Sequence, residues 1–156
     1  MQETVGSEPF VLFEVAGTTY GVRSRFVQQV QMVDQVTPVP NAIPVVAGVV
    51  HVRGRVIPAI NLRLRFGFQR ASFDLRTRLV VVNVGGRVIG LLVDSAREFV
   101  AIAVSTIETP PEGITGLSRK YLEGIASLNG RLILILKLDE VIDVGDTEEI
   151  VAGIPS

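Results

Sequence analysis

Side chains able to do chemistry are few in this chain, and they do not cluster. There is one histidine, His51, set between Val50 and Val52, and there is no cysteine. A catalytic imidazole needs a nucleophile to activate or a carboxylate to orient it, and a metal site built on imidazoles needs several of them. A single histidine alternating with valines reads more simply as a strand residue. Without cysteine, zinc ribbons, iron–sulfur clusters, thiol nucleophiles and disulfide frameworks are excluded. The two lysines, Lys120 and Lys137, follow no glycine-rich loop, so a G-x-x-x-x-G-K-[ST] phosphate cradle is absent from the sequence. Gly85-Gly86 and the Gly113/Gly116 pair read as turns. Asp94 and Glu98 could face each other across a bend, but no base accompanies them. The expectation is a protein with no catalytic residues, no metal and no cofactor.

A formal net charge of −1 over 156 residues conceals a polarity. Residues 1–78 carry nine arginines against five acids, whereas residues 79–156 carry eleven acids against six bases. No acid lies between Asp34 and Asp74, and Arg53, Arg55, Arg63, Arg65 and Arg70 all fall in that interval. Arginine forks suit planar contacts to carboxylates. They also raise an alternative, a small β-barrel binding nucleic acid through the Arg-rich segment 53–78. Against it stand an isoelectric point of 5.8 and aromatics placed for a core (Phe10, Phe13, Tyr20, Phe26) rather than for base stacking. The better reading is an adaptor whose function is its surface.

The elements that must position such a surface are strands. Valine and isoleucine dominate, the apolar runs are short, and glycine or proline interrupts them at regular intervals. Phe10–Val15 with Tyr20–Val22, Val46–Val52 with Val56–Leu62, Leu79–Val84 with Val88–Val93, and Leu122–Leu128 with Leu132–Leu138 all read as hairpins. The first strand of the second hairpin is expected to carry Val49, His51 and Arg53 on one face. Ser24–Val33, apolar at Phe26, Val27, Val30 and Val33, has the spacing of a short amphipathic helix or a helix passing into a strand. Asn61 suits the cap of one helical turn and Asp139 the cap of a closing helix over Glu140–Val144.

An internal repeat organises these pieces. Shifted by 69, Val15, Gly17, Gly21 and Val22 fall on Val84, Gly86, Gly90 and Leu91; shifted by 76, Gly48 falls on Gly124 and Gly54-Arg55-Val56-Ile57 on Gly130-Arg131-Leu132-Ile133. Each half is then a unit of about five strands, too small to be stable alone. The fold expected is mainly β: two similar small barrels packed about a pseudo-twofold, with short helices. Nothing near the ~20 apolar residues of a spanning helix occurs. The polar, acidic N-terminus reverses the order of a signal peptide, so a cytoplasmic setting is expected.

The stretch Val46-Ala47-Gly48-Val49-Val50-His51-Val52-Arg53-Gly54-Arg55-Val56-Ile57-Pro58-Ala59-Ile60-Asn61-Leu62-Arg63 resembles the signature G-[IV]-x-N-L-R-G-x-[IV]-[IV]-P-[IV]-[IV]-D-L-R of the CheW family of bacterial chemotaxis coupling proteins. Tyr20-Gly21-Val22, Val88–Asp94 and Tyr121–Ile125 agree as well. The likeness covers residues 8–145 as one domain of two intertwined subdomains, with 1–7 and 146–156 as flexible termini. It implies two SH3-like five-stranded barrels, no enzymatic activity, and a scaffold joining chemoreceptor cytoplasmic tips to the histidine kinase CheA through that kinase's own CheW-like regulatory domain. No nucleic acid and no membrane insertion are implied. Position by position, it places Arg53 at receptor coupling and puts Gly48, Val27, Gln29 and Phe99 at partner-binding positions. His51, Asn61 and Gln29 depart from the usual Asn, Asp and Glu.

Overall fold

Four two-residue connections set the architecture. Ala16-Gly17, Arg53-Gly54, Gly85-Gly86 and Asn129-Gly130 each have positive φ at both residues: 52° and 82°, 50° and 79°, 59° and 88°, 53° and 79°. That is the signature of type I′ turns, whose twist matches the strands they join. The computed structural model describes residues 6–112 and 117–143. In chain order these form β1 (Ser7–Val15), β2 (Thr18–Arg23), β3 (Val27–Met32), β4 (Val46–Val52), β5 (Arg55–Asn61), α1 (Leu62–Arg65), β6 (Arg78–Val84), β7 (Arg87–Val93), β8 (Ser95–Ala103), α2 (Leu117–Lys120), β9 (Leu122–Leu128), β10 (Arg131–Leu136) and α3 (Leu138–Val141).

The strands make two five-stranded sheets, ordered β8-β1-β2-β10-β9 and β3-β6-β7-β5-β4. The two halves of the sequence exchange their first hairpins. β1–β2 completes the sheet of β8, β9 and β10, while β6–β7 completes that of β3, β4 and β5. This corrects the expectation that each half is a unit by itself. The repeat nevertheless holds to the residue. Val27 pairs with Val82 as Ala96 pairs with Phe13, and Ala59 lies beside Gly90 as Ile135 lies beside Gly21. Bulges recur in register too, with Gln28 and Arg97 the skipped residues.

Each sheet closes by one bridge. Thr37 and Val49 exchange backbone hydrogen bonds of 2.9 and 2.8 Å, and Glu108 and Ile125 do the same at 2.9 and 2.8 Å. Gly48 and Gly124 sit beside these bridges because nothing larger fits. A Cβ at Gly48 would run into the Thr37 carbonyl, and one at Gly124 would lie 2.8 Å from the Glu108 carbonyl oxygen. The two offsets therefore differ because the joining segments differ in length, while both ends of each segment are pinned.

Period-2 alternation distributes the apolar side chains among three cores. Phe10, Leu12, Ile102, Ala126, Ile133 and Ile135 fill one barrel, and Val50, Val52, Ile57, Ala59, Leu79, Val81 and Leu92 the other. The opposite faces of the same strands, with α1 and α3, form the largest cluster between the barrels, including Val11, Phe13, Tyr20, Ile60, Val80, Leu91 and Ile142. Burying each large apolar side chain stabilises the fold by about 1.5–3 kcal/mol. Phe13, Tyr20, Phe66 and Tyr121 run through this shared layer with successive ring centroids 6.2, 5.0 and 5.7 Å apart.

Two local expectations are corrected, and one strand was not anticipated. Ser24–Val33 is one 3₁₀ turn, Ser24–Phe26, followed by β3. Burial alternates without a break along β3, but the more buried side carries Gln29 and Gln31 while Val30 and Met32 face outward, so the apolar spacing imitated a helix. The closing helix starts at Leu138 behind Lys137, with no side-chain cap, so Asp139 lies in its first turn. β8, spanning Ser95–Ala103, had no clear sequence signal. Residues 1–5, 113–116 and 144–156, including the Gly113/Gly116 pair and most of the expected flexible ends, lie outside the described residues.

Candidate partner-binding surface

Arg53 lies one residue past β4, in the turn, rather than in the strand as alternation suggested. Its φ of 50° is a left-handed conformation that costs a residue with a Cβ about 1–2 kcal/mol. The pseudo-twofold supplies a comparison, since the matching position is Asn129 at φ 53° and asparagine tolerates that region well. Arg53 is exposed, and neither it nor exposed Arg55 has an ion pair or side-chain hydrogen bond among the described residues. Arg53 is therefore an exposed cation in a left-handed turn with no partner among the described residues.

The other arginines of segment 53–78 are largely committed to the fold. Arg63 on α1 donates from Nε and Nη2 to Asp94 at 2.9 and 2.8 Å, and that hydrogen bond is the main cause raising its pKa. Asp94 also accepts the Ala16 backbone N–H at 2.8 Å, so one carboxylate ties α1 to the β1–β2 turn of the other barrel. Arg65 donates to the carbonyls of Glu140 and Asp143 at 3.1 and 2.9 Å and lies 4.9 Å from the Tyr121 ring centroid. It anchors α3. Arg76 pairs locally with Asp74, and Arg78 bonds the Leu75 and Thr77 carbonyls. The Arg-rich interval is thus dispersed over structural tasks and forms no continuous basic stripe, so the nucleic-acid reading is not supported.

The five candidate positions divide between the barrels. Gly48, Arg53, Val27 and Gln29 belong to the β3-β6-β7-β5-β4 barrel, and Phe99 to the other. Val27 is half-buried against the shared core and Gly48 packs on Thr37, so both serve the scaffold of the surface. Gln29, half-buried on edge strand β3, contacts Gln31 through its side-chain amide. Phe99 is 70% exposed on edge strand β8, flanked by the pairs Arg97–Glu14 at 2.6 Å and Arg131–Glu98 at 2.8 Å. Sequence reasoning missed Val30 and Met32, exposed apolar residues of β3. The repeat could have found one of them, because the offset of 69 carries Val30 onto Phe99. No helix among the described residues is long and apolar enough to cross a membrane, and no group of three or more metal-ligating side chains occurs among them.

Comparison with known proteins agrees over nearly the full length. The family model described as CheW-like domain matches residues 9–145. A protein named Chemotaxis protein CheW from Klebsiella aerogenes is 33% identical over 140 residues, covering 90% of this chain and 84% of that protein. One of the same name from Rhizobium meliloti is 29% identical over 138 residues, covering 88% and 89%. Among solved structures, the scaffolding protein TtCheW from Thermoanaerobacter tengcongensis superposes with a TM-score of 0.80 at 31% identity, covering 88% of each chain.

Proposed function

The chain belongs to the CheW-like family, and from that premise we propose that it is a non-enzymatic adaptor coupling chemoreceptors to the histidine kinase CheA in the cytoplasm. The observation that carries this reading is the match over residues 9–145 together with relatives named as chemotaxis proteins. Residues 8–145 act as one unit, because the exchanged hairpins leave neither barrel complete without the other half. Arg53 is the receptor-coupling residue, supported by its exposure, its strained turn and its lack of a partner among the described residues. Gln29 and Phe99 contribute on the two edge strands that the pseudo-twofold relates. The kinase partner is its CheW-like regulatory domain, and the receptor partner is the cytoplasmic tip. A pull-down using each partner separately and then both together tests this. The chain should bind each and retain both at once, whereas failure to bind either partner overturns the proposal.

A further inference from the structure

The barrel that carries Arg53 is closed at a single point. Beyond the Thr37–Val49 bridge, β3 and β4 are unpaired edges of their sheet. The gap between them is a cleft of about 400 Å³ whose lining includes Val33, Asp34, Val50, His51 and Leu79. Register fixes what β4 presents there. Val49 turns both backbone groups toward Thr37, and on its other side it faces Pro58, which has no N–H to donate. The backbone N–H and C=O of His51, two residues along, point the same way as those of Val49. They are directed into the cleft, where no strand among the described residues meets them.

The floor of the cleft is apolar, since Val50 and Leu79 belong to the barrel's interior and Val33 packs against it. The barrels differ here: the counterpart of half-buried Val33 in the other one is Ile102, which is buried. At the hairpin end of the cleft stand Arg53 and Arg55, both exposed and without ion pairs among the described residues.

We propose that this seam binds an extended, acidic segment of a partner protein as a strand added to β4. The backbone of the segment pairs with His51, its inward side chain rests on Val33 and Leu79, and its carboxylate reaches Arg53 and Arg55. Main-chain pairing at a sheet edge supplies affinity, and alternate side chains supply selectivity. This goes beyond the coupling role and does not rest on it, because the site is defined by a strand edge and two cations that are unpaired among the described residues.

The probe is a short blocked peptide alternating valine with glutamine and ending in glutamates, compared with a lysine-ended version and one with its valines clustered. Amide exchange of the full chain is followed at His51. The acidic alternating peptide should slow that amide by about tenfold or more, and the two controls should not. His51→Pro removes the cleft-facing N–H together with the exposed imidazole, at an edge position that accepts proline. It should abolish peptide binding while leaving the melting temperature unchanged, whereas His51→Ala, which keeps the N–H, should still bind. Should the proline variant fail to fold, Arg55→Glu decides: it should reverse the preference from the acidic peptide to the lysine one. Binding without slowing at His51, or equal binding of all three peptides, overturns the proposal. So does a His51 amide already protected in the free chain, or one whose protection rises with protein concentration, because the seam would then be covered by the chain itself or by a second copy.

Discussion

Arg53 and Asn129 occupy the same place in the two barrels, each the first residue of a type I′ turn, with φ of 50° and 53°. The register around them is the same in both hairpins: Val52 pairs with Arg55 as Leu128 pairs with Arg131. The fold treats the two positions alike and the sequence does not. Asn129 suits the left-handed region, whereas arginine at the equivalent place carries a strain that asparagine would not.

Gly48 and Gly54 lie six residues apart and should respond differently to alanine. At Gly48 the new methyl meets the Thr37 carbonyl, which is fixed by its own bridge to Val49. Gly48→Ala should cost ~3 kcal/mol of folding stability, the upper range for overpacking a fitted site. Gly54 has open space around it and only its φ of 79° at stake, so Gly54→Ala should cost ~1 kcal/mol. Chemical denaturation of both variants checks this, and equal costs would contradict the view of Gly48 as a closure residue.

The exchange of hairpins predicts how the chain tolerates cutting. Residues 1–70 contain β1–β5 and residues 71–156 contain β6–β10, and neither set builds a complete barrel. Each fragment alone should show no cooperative thermal transition, and mixing them should restore the circular dichroism of the intact chain. A half that melts cooperatively by itself would mean that the barrels are not interdependent.

Alkaline stability should depend on Tyr20. Burial raises its pKa above the usual 10.0. A group whose folded pKa is raised lends stability that is fully present below its unfolded pKa and lost as pH climbs through the folded one. Melting temperature should therefore hold up to about pH 10 and fall beyond it. Tyr20→Phe should lessen that fall in a pH series, and an unchanged alkaline profile would assign the loss elsewhere.

Much of this fold is legible in the sequence because it repeats. Glycines at 17, 54, 86 and 130 mark the four turns, and consecutive apolar residues in β6 and β7 mark strands buried on both faces. The exchange of hairpins is not legible in the repeat, since two offsets give local equivalence but do not say which hairpin completes which sheet; only the family resemblance implied that the subdomains intertwine. β3 was obscured by glutamines on its more buried side and by Val30 and Met32 on its exposed one. Arg53 was identified as a residue but misplaced by one position: alternation extrapolates a strand past its last residue, whereas the positive φ that sets Arg53 apart appears only in three dimensions. Gly48 showed the reverse. A glycine in a binding motif suggests contact with a partner, while the structure shows that its neighbour is the chain's own Thr37.

The most direct test of Arg53 as a coupling residue rather than a structural one is Arg53→Asn, which copies the turn of the other barrel. Its folding stability should equal that of the parent or exceed it by up to about 1 kcal/mol, as relief of left-handed strain allows. In the same preparation, titration into a mixture of receptor-tip fragment and kinase regulatory domain should show ternary assembly weakened by about tenfold or more, the loss of a charge-assisted contact of ~1.5–3 kcal/mol. A variant that assembles both partners like the parent, or one that unfolds, would contradict the placement of Arg53 on the coupling surface.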